Sequence, residues 1–379
     1  MRTLVIFVAF ALAAFGQRHK LDEVDAEKPE GKLLQQVMQE SDDAKKTALM
    51  EQFAGEYPKA EQTAWVLEQL QAHYVKANQP DQIIATGEKL LAVDPDDPEA
   101  ALQTLKASEA KKDLALIRKY SDVTYKNARK ITATPQPKEA DQEDSWKSQV
   151  DYARQVAQYA DYALFRAGID ARDPKVTIEM AEALAQRSPD SEYNAKLRDA
   201  MFLAYRQSGA NDKAVALAEK TLGTDQTNED MLLVVADSYL QQKKEPDKVH
   251  AYSAKIVEIM ATKAKPETTS DTDWAARKNL VTGLAHYMSG KLYSAENKQA
   301  QADQELRKAL PLIESNPALK PETLFLLGLA NYKMASGGNA ERAQDSANYF
   351  RACAAMKSPF QATAAANLKR IMTEYHGIK

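Results

Sequence analysis

Residues 200–239 read AMFLAYRQSGANDKAVALAEKTLGTDQTNEDMLLVVADSY, and this stretch decides the fold. Tyr205 and Tyr239 each close an apolar run with helical spacing, and they lie 34 residues apart. Between them Gly209 marks a turn, and Ala214, Ala218 and Leu222 recur every four residues. One period therefore holds two short helices laid against each other. A pair of that size cannot bury its apolar face alone and needs neighbours stacked on it, so the pattern implies an array rather than an isolated hairpin.

The residue types at these positions resemble the tetratricopeptide repeat, whose first helix carries Leu-Gly and then Tyr and whose second carries Ala, a large apolar residue and Ala, with Pro usually closing the unit. With Tyr205 as that tyrosine, Met201 takes the Leu position, Gly209 the turn and Ala214 the first small site of the second helix. Ala218, Thr221 and Gln226 depart from the pattern. With Tyr74 as tyrosine, Leu67, Leu70 and Pro95 fit, whereas Ile83 and Gly87 depart; with Tyr293, the residues Gly290, Ala302, Leu306 and Ala309 all fit. A last unit has Leu327-Gly328, Phe350, Cys353 and Pro359, with extra residues around Gly337-Gly338, and weaker units end at Pro58 and Pro189. The resemblance covers most of the chain from residue 40 onward. It implies an all-α fold, a right-handed superhelical solenoid of antiparallel helix pairs.

Outside this array, Arg2 followed by the apolar run Leu4 to Phe15 and by Ala14-Phe15-Gly16 reads as a secretory signal peptide over 1–16, cleaved after Gly16. The run falls short of the roughly 20 apolar residues that cross a bilayer. The expected product is exported, periplasmic or secreted, and not membrane-spanning. Residues 17–31 are charged and read as a flexible leader. Helices are expected at 32–39 and 42–55, with Ser41 as the cap between them, inside an N-terminal set of helix pairs over 32–131. The stretch 132–145 reads as an acidic, Pro-containing loop leading to Trp146. A C-terminal array over 146–379 is interrupted by a similar insertion at 263–273 leading to Trp274. Each tryptophan either anchors a helix start on the core or lines a binding surface.

The formal charge is −4, with both signs mixed along the chain. That excludes the basic stripe of a nucleic-acid binder and the basic amphipathic face of a helix held on anionic lipid. His19, His73, His250, His286 and His376 are scattered, no H-E-x-x-H occurs, and Cys353 stands alone at a small apolar site of the repeat. Asp94 to Glu99 reads as turn and cap chemistry, lacking the glycine of a calcium loop, and Ser108-Glu109-Ala110-Lys111 has no companion motif. No metal, cofactor or catalytic residue is expected, and the chain reads as a non-enzyme.

What remains is a surface. The family resemblance implies that first helices line a groove taking a peptide or partner protein of the envelope. Carried over unit by unit, the groove positions are Lys196, Asp199 and Arg206, then Asp230 and Asp237, then Tyr287 and Lys291, then Tyr332 and Lys333. Each is more simply read as a residue of a solvated helix face. Asp199 and Leu203 stand where the family's carboxylate clamp has Lys and Asn, so no chaperone-tail docking is implied. The alternative to a protein scaffold is a carbohydrate or cell-wall binder that stacks sugars on Trp146, Trp274, Tyr152, Tyr159 and Tyr162. A third reading is an enzyme with a site of unfamiliar form.

Overall fold

A computed structural model describes residues 18–21, 24–25, 27–336 and 338–378. The signal-peptide reading over 1–16 and its cleavage point lie outside these residues, as does Gly337. Every regular element among them is an α-helix. The first nine are α1 (Pro29–Gln39), α2 (Asp43–Glu56), α3 (Thr63–Lys76), α4 (Pro80–Val93), α5 (Pro98–Lys111), α6 (Leu114–Thr132), α7 (Ala140–Asp170), α8 (Pro174–Arg187) and α9 (Glu192–Gln207). Then come α10 (Asn211–Leu222), α11 (Glu229–Gln242), α12 (Pro246–Thr262), α13 (Asp271–Ala295), α14 (Gln299–Leu312), α15 (Leu319–Met334), α16 (Ala340–Ala354) and α17 (Gln361–Glu374). None is long and apolar enough to cross a membrane.

The chain divides into two compact units, 1–208 and 209–379, and the division falls at the Gly209 turn. In the first unit each helix from α1 to α9 packs on the next, and the first helices of successive pairs also touch, α3 on α5, α5 on α7 and α7 on α9. The second unit repeats the scheme from α10 to α17, with α11 on α13, α13 on α15 and α15 on α17. Apolar residues at helical spacing supply the cores: Phe53, Tyr120, Leu164 and Phe202 are fully buried in the first unit, Leu306 and Phe350 in the second. This is the TPR-like stack of helix pairs that the repeat spacing implies. Ala214, Ala218, Ala302, Leu306 and Ala309, all read as inward repeat positions, are fully buried.

One backbone feature marks the repeat more sharply than any side chain. The turn after every second helix, from α3 to α15, contains a residue with left-handed φ: Asn78, Lys112, Arg172, Gly209, Lys243, Asn297 and Gly338. Asn78 and Lys112 are 34 residues apart, and so are Gly209 and Lys243. The two longest intervals hold the Pro-containing loops and the two longest helices, α7 with 31 residues and α13 with 25. A left-handed conformation costs an L-residue about 1–2 kcal/mol, partly recovered where lysine sits at a helix C-terminus. Lys243→Gly is therefore expected to stabilise the protein by about 0.5–1 kcal/mol. A rise in the urea midpoint at unchanged slope checks it; a fall means the lysine side chain holds the turn.

The tyrosines that mark the repeat also join successive pairs. The Tyr74 hydroxyl on α3 donates to Glu51 on α2, and the Tyr205 hydroxyl on α9 donates to Glu182 on α8 at 2.8 Å. Tyr239 on α11 bonds Glu219 on α10 in the same way. Gly87, an apparent departure from the pattern, has a steric reason. A Cβ there would lie 1.9 Å from the Thr104 hydroxyl oxygen and 2.6 Å from Gln71 Nε2, so only glycine lets α4 meet α5 and α3 this closely.

Three local expectations are corrected. The cap of α2 is Asp42, whose carboxylate accepts from the Lys45 N–H, rather than Ser41. The loop read at 132–145 ends by residue 139, because Asp141 and Glu143 lie in the first turn of α7, where the helix dipole favours acidic groups. Trp146 lies in the second turn, and its indole N–H donates to the Thr134 carbonyl at 3.2 Å, tying the loop to the helix. The leader is not loose where it is described: Leu21 and Val24 pack on the first core cluster, and Arg18 and His19 reach Asp94 and Asp97.

Candidate functional site

In the second unit, the first helices α11, α13 and α15 bring four polar side chains together. Asp237 on α11 is exposed and accepts from Gln241. Tyr287 on α13 is buried, and its hydroxyl donates to Glu322 on α15 at 2.6 Å. Lys291, one turn along α13, reaches both the Tyr287 oxygen at 3.2 Å and Glu322 at 2.8 Å. Burial first, then Glu322 and the nearby Asp237, push the Tyr287 phenol well above its ordinary value. The phenol thus stays a donor and orients Glu322. Asp237, Lys291 and Glu322 form a surface of alternating charge that can exchange hydrogen bonds with an extended partner chain.

Tyr287 thus lies beneath this face rather than on it, which corrects its placement from sequence. Glu322 is the member that sequence reading missed; it sits in the first turn of α15, where it reads as ordinary dipole chemistry. Asp230 is pulled aside by Arg277 at 2.8 Å. Tyr332 and Lys333 diverge from the cluster: the Tyr332 hydroxyl donates to Glu374 on α17 at 2.6 Å, and Lys333 bonds Asn297 in the α13–α14 turn at 3.1 Å.

In the first unit, Lys196, Asp199, Leu203 and Arg206 fall on one exposed stripe of α9. Lys196 pairs with Glu192 at 2.6 Å and covers the Tyr193 ring. Leu203 is 49% exposed, an apolar group among charges. The aromatic residues proposed for sugar stacking do not make an open platform. Trp146, Trp274, Tyr152 and Tyr159 are half-buried, and Tyr159 gives its hydroxyl to Glu109 at 2.6 Å under the Lys106 ammonium. Tyr162 alone of the five is exposed, and its ring leans on Tyr159, Phe165 and Tyr193.

Two side-chain groups gather chemistry from residues far apart in sequence. His19 Nε2 lies 3.2 Å from Asp97 Oδ2 and 3.6 Å from Asp94 Oδ2, and ligand atoms of the three lie within 4.8 Å of one another. Nothing local in the sequence signals this, since 78 residues separate His19 from Asp97. The acids are already engaged: Arg18 pairs with Asp94 at 2.5 Å, and the other Asp97 oxygen caps α5 through the Glu99 and Ala100 N–H groups. The group reads as an ion-paired clasp. In the second unit the His250 ring lies on Tyr293, with Nδ1 2.9 Å from Ser289 Oγ and Nε2 3.3 Å from Glu296. Hydroxyl, imidazole and carboxylate stand in the order of an acyl-transfer relay. Ser289, however, is buried within α13, where the backbone N–H groups that would have to hold an oxyanion are spent on the helix ladder. These hydrogen bonds brace α12 against α13. Cys353 is fully buried, its thiol pushed up by burial and bonded to the Pro321 carbonyl at 3.3 Å.

No protein-family model matches the chain, and no curated protein matches it in sequence. Solved structures similar to it include the P58(IPK) TPR domain, 13% identical over 91% of this chain and 98% of that one with a TM-score of 0.26. Yeast Tom70 is 14% identical over 93% of this chain and 78% of that one with a TM-score of 0.24. At these scores the likeness carries no weight for overall geometry or function, and the fold rests on the helix pairs and turn spacing given above.

Proposed function

We propose that this chain is an exported, non-catalytic scaffold that binds a protein or peptide partner of the cell envelope on the first-helix faces of its pairs. The observation that carries the reading is the convergence of Asp237, Lys291 and Glu322 over the Tyr287 hydroxyl from three successive first helices. Rigid helices present alternating charges along one seam, which favours specificity and register over raw affinity. Export is supported by the Arg2, Leu4 to Phe15 and Ala14-Phe15-Gly16 pattern, and the N-terminus of the product is then Gln17.

The test places a photo-crosslinking residue at Asp237 in the producing cell and compares it with one at Lys308, which is exposed on the second helix α14. One dominant envelope partner captured from position 237 and absent from 308 is the expected result. Capture should fall about tenfold when the neighbouring Lys291 is reversed to Glu, a change of about 1.4 kcal/mol. Equal capture from both positions, or none from 237, overturns the proposal.

A further inference from the structure

The first unit has a second candidate surface, at its turns rather than on its first-helix face. A cleft of about 760 Å³ lies where the α5–α6 turn meets the end of α7. Its floor is apolar, with Ile117 and Ala167 buried and Leu114 half-buried. Tyr162 and Ile169 rise from α7 into it, each 37% exposed, two of the few large apolar side chains that the described residues leave open to water.

The charges around this cleft do not balance. Lys112, Arg166 and Arg172 face two carboxylates, of which Asp170 is paired with Arg166 at 2.5 Å and Glu109 accepts the Tyr159 hydroxyl and feels Lys106 outside the cleft. Lys112 and Arg172 line the same cleft, are exposed, and have no partner among the described residues. Both are turn residues with left-handed φ, +55° and +53°, a conformation that glycine or asparagine occupies at four of the other turns. Lys243 shares the strain, so strain alone identifies nothing. Two unpaired cations held at the mouth of an apolar cleft do specify an occupant, because carboxylates must meet them while an apolar side chain covers the floor.

The geometry points to this turn-edge cleft as a docking site for an acidic partner segment that seats one large apolar side chain against Tyr162, Ile169 and Leu114, with carboxylates on Lys112 and Arg172. It is a surface separate from the α11–α13–α15 face, and either can fail without the other.

The test uses the full mature chain, Gln17 to Lys379, and fluorescein-labelled peptides read by anisotropy. Asp-Asp-Phe-Glu-Asp is expected to bind with Kd below about 1 mM. The variant with Gly for Phe should bind at least tenfold more weakly, and Lys-Lys-Phe-Lys-Lys should not bind. Lys112→Gly with Arg172→Gly relieves two strained turns while removing both cations, so the double variant should unfold at a higher temperature and yet lose tenfold or more in affinity. Ile169→Ser, at an exposed position, should lose a comparable factor. Absence of binding to the wild-type chain, unchanged affinity in the double Gly variant, or equal binding of the Gly-for-Phe peptide overturns the inference.

Discussion

Arg187→Met is expected to cost about 3–5 kcal/mol of stability, because it leaves a buried carboxylate without its counter-ion. The guanidinium, at the end of α8, bonds Asp122 on α6 and Asp161 on α7, each at 2.8 Å, and covers the Tyr125 ring. Asp161 is 6% exposed, and its other described partner is the Ser188 hydroxyl at 3.0 Å. Methionine keeps much of the packing volume and removes the charge, so the loss measures the stranded Asp161 rather than a cavity. The readout is the urea midpoint of the transition that the variant moves. Adding Asp161→Leu should recover most of the loss, since replacing both partners of a buried pair by apolar groups is often close to neutral. A loss below about 1 kcal/mol in the single variant, the range of an exposed ion pair, means that water reaches Asp161.

Phe350→Ala on α16 should cost about 3–5 kcal/mol, by lost transfer energy and by the hole left behind. The ring is fully buried, edge-on to Phe325 at 5.9 Å, in a cluster with Leu324, Cys353 and Ala364. It lies directly over Gly328, where a Cβ would come within 2.6 Å of a ring carbon. Glycine and phenylalanine are thus two halves of one fit. Gly328→Ala should destabilise the wild type by overpacking and be tolerated better in the Phe350→Ala background, where its methyl enters the hole. Strictly additive losses in the double variant mean that the two positions do not share that space.

These positions show what a single sequence makes legible. Leu327-Gly328 and Phe350 are visible as repeat residues because their spacing is set by helix pairing, a short-range constraint written in consecutive residues. The Gly209 turn and the burial of Ala214, Ala302 and Leu306 are legible for the same reason. Boundaries are less so. The acidic stretch of residues 140–145 looks like loop until the helix dipole is counted, and the charged leader looks solvated because Asp94 and Asp97 lie more than seventy residues away. The candidate face falls between these cases. Asp237 is exposed, Lys291 is half-buried beside Glu322, Tyr287 is sunk below the surface, and Glu322 enters from the next pair. Exposure and cross-pair contact depend on how pairs stack, and no periodicity within one pair records that.

The tyrosine–glutamate joints bear on how such a chain can lengthen or shorten. In Glu51–Tyr74, Glu182–Tyr205 and Glu219–Tyr239 the acceptor sits on the second helix of one pair and the donor on the first helix of the next. The α9–α10 pair thus carries both, with Tyr205 as the plug at its front and Glu219 as the socket at its back. Duplicating or deleting that pair leaves the joints on either side of it matched, whereas gaining or losing one of its helices leaves a carboxylate or a phenol stranded between neighbours. The joints act as a reading frame for the architecture, and the unit that can be copied is the pair.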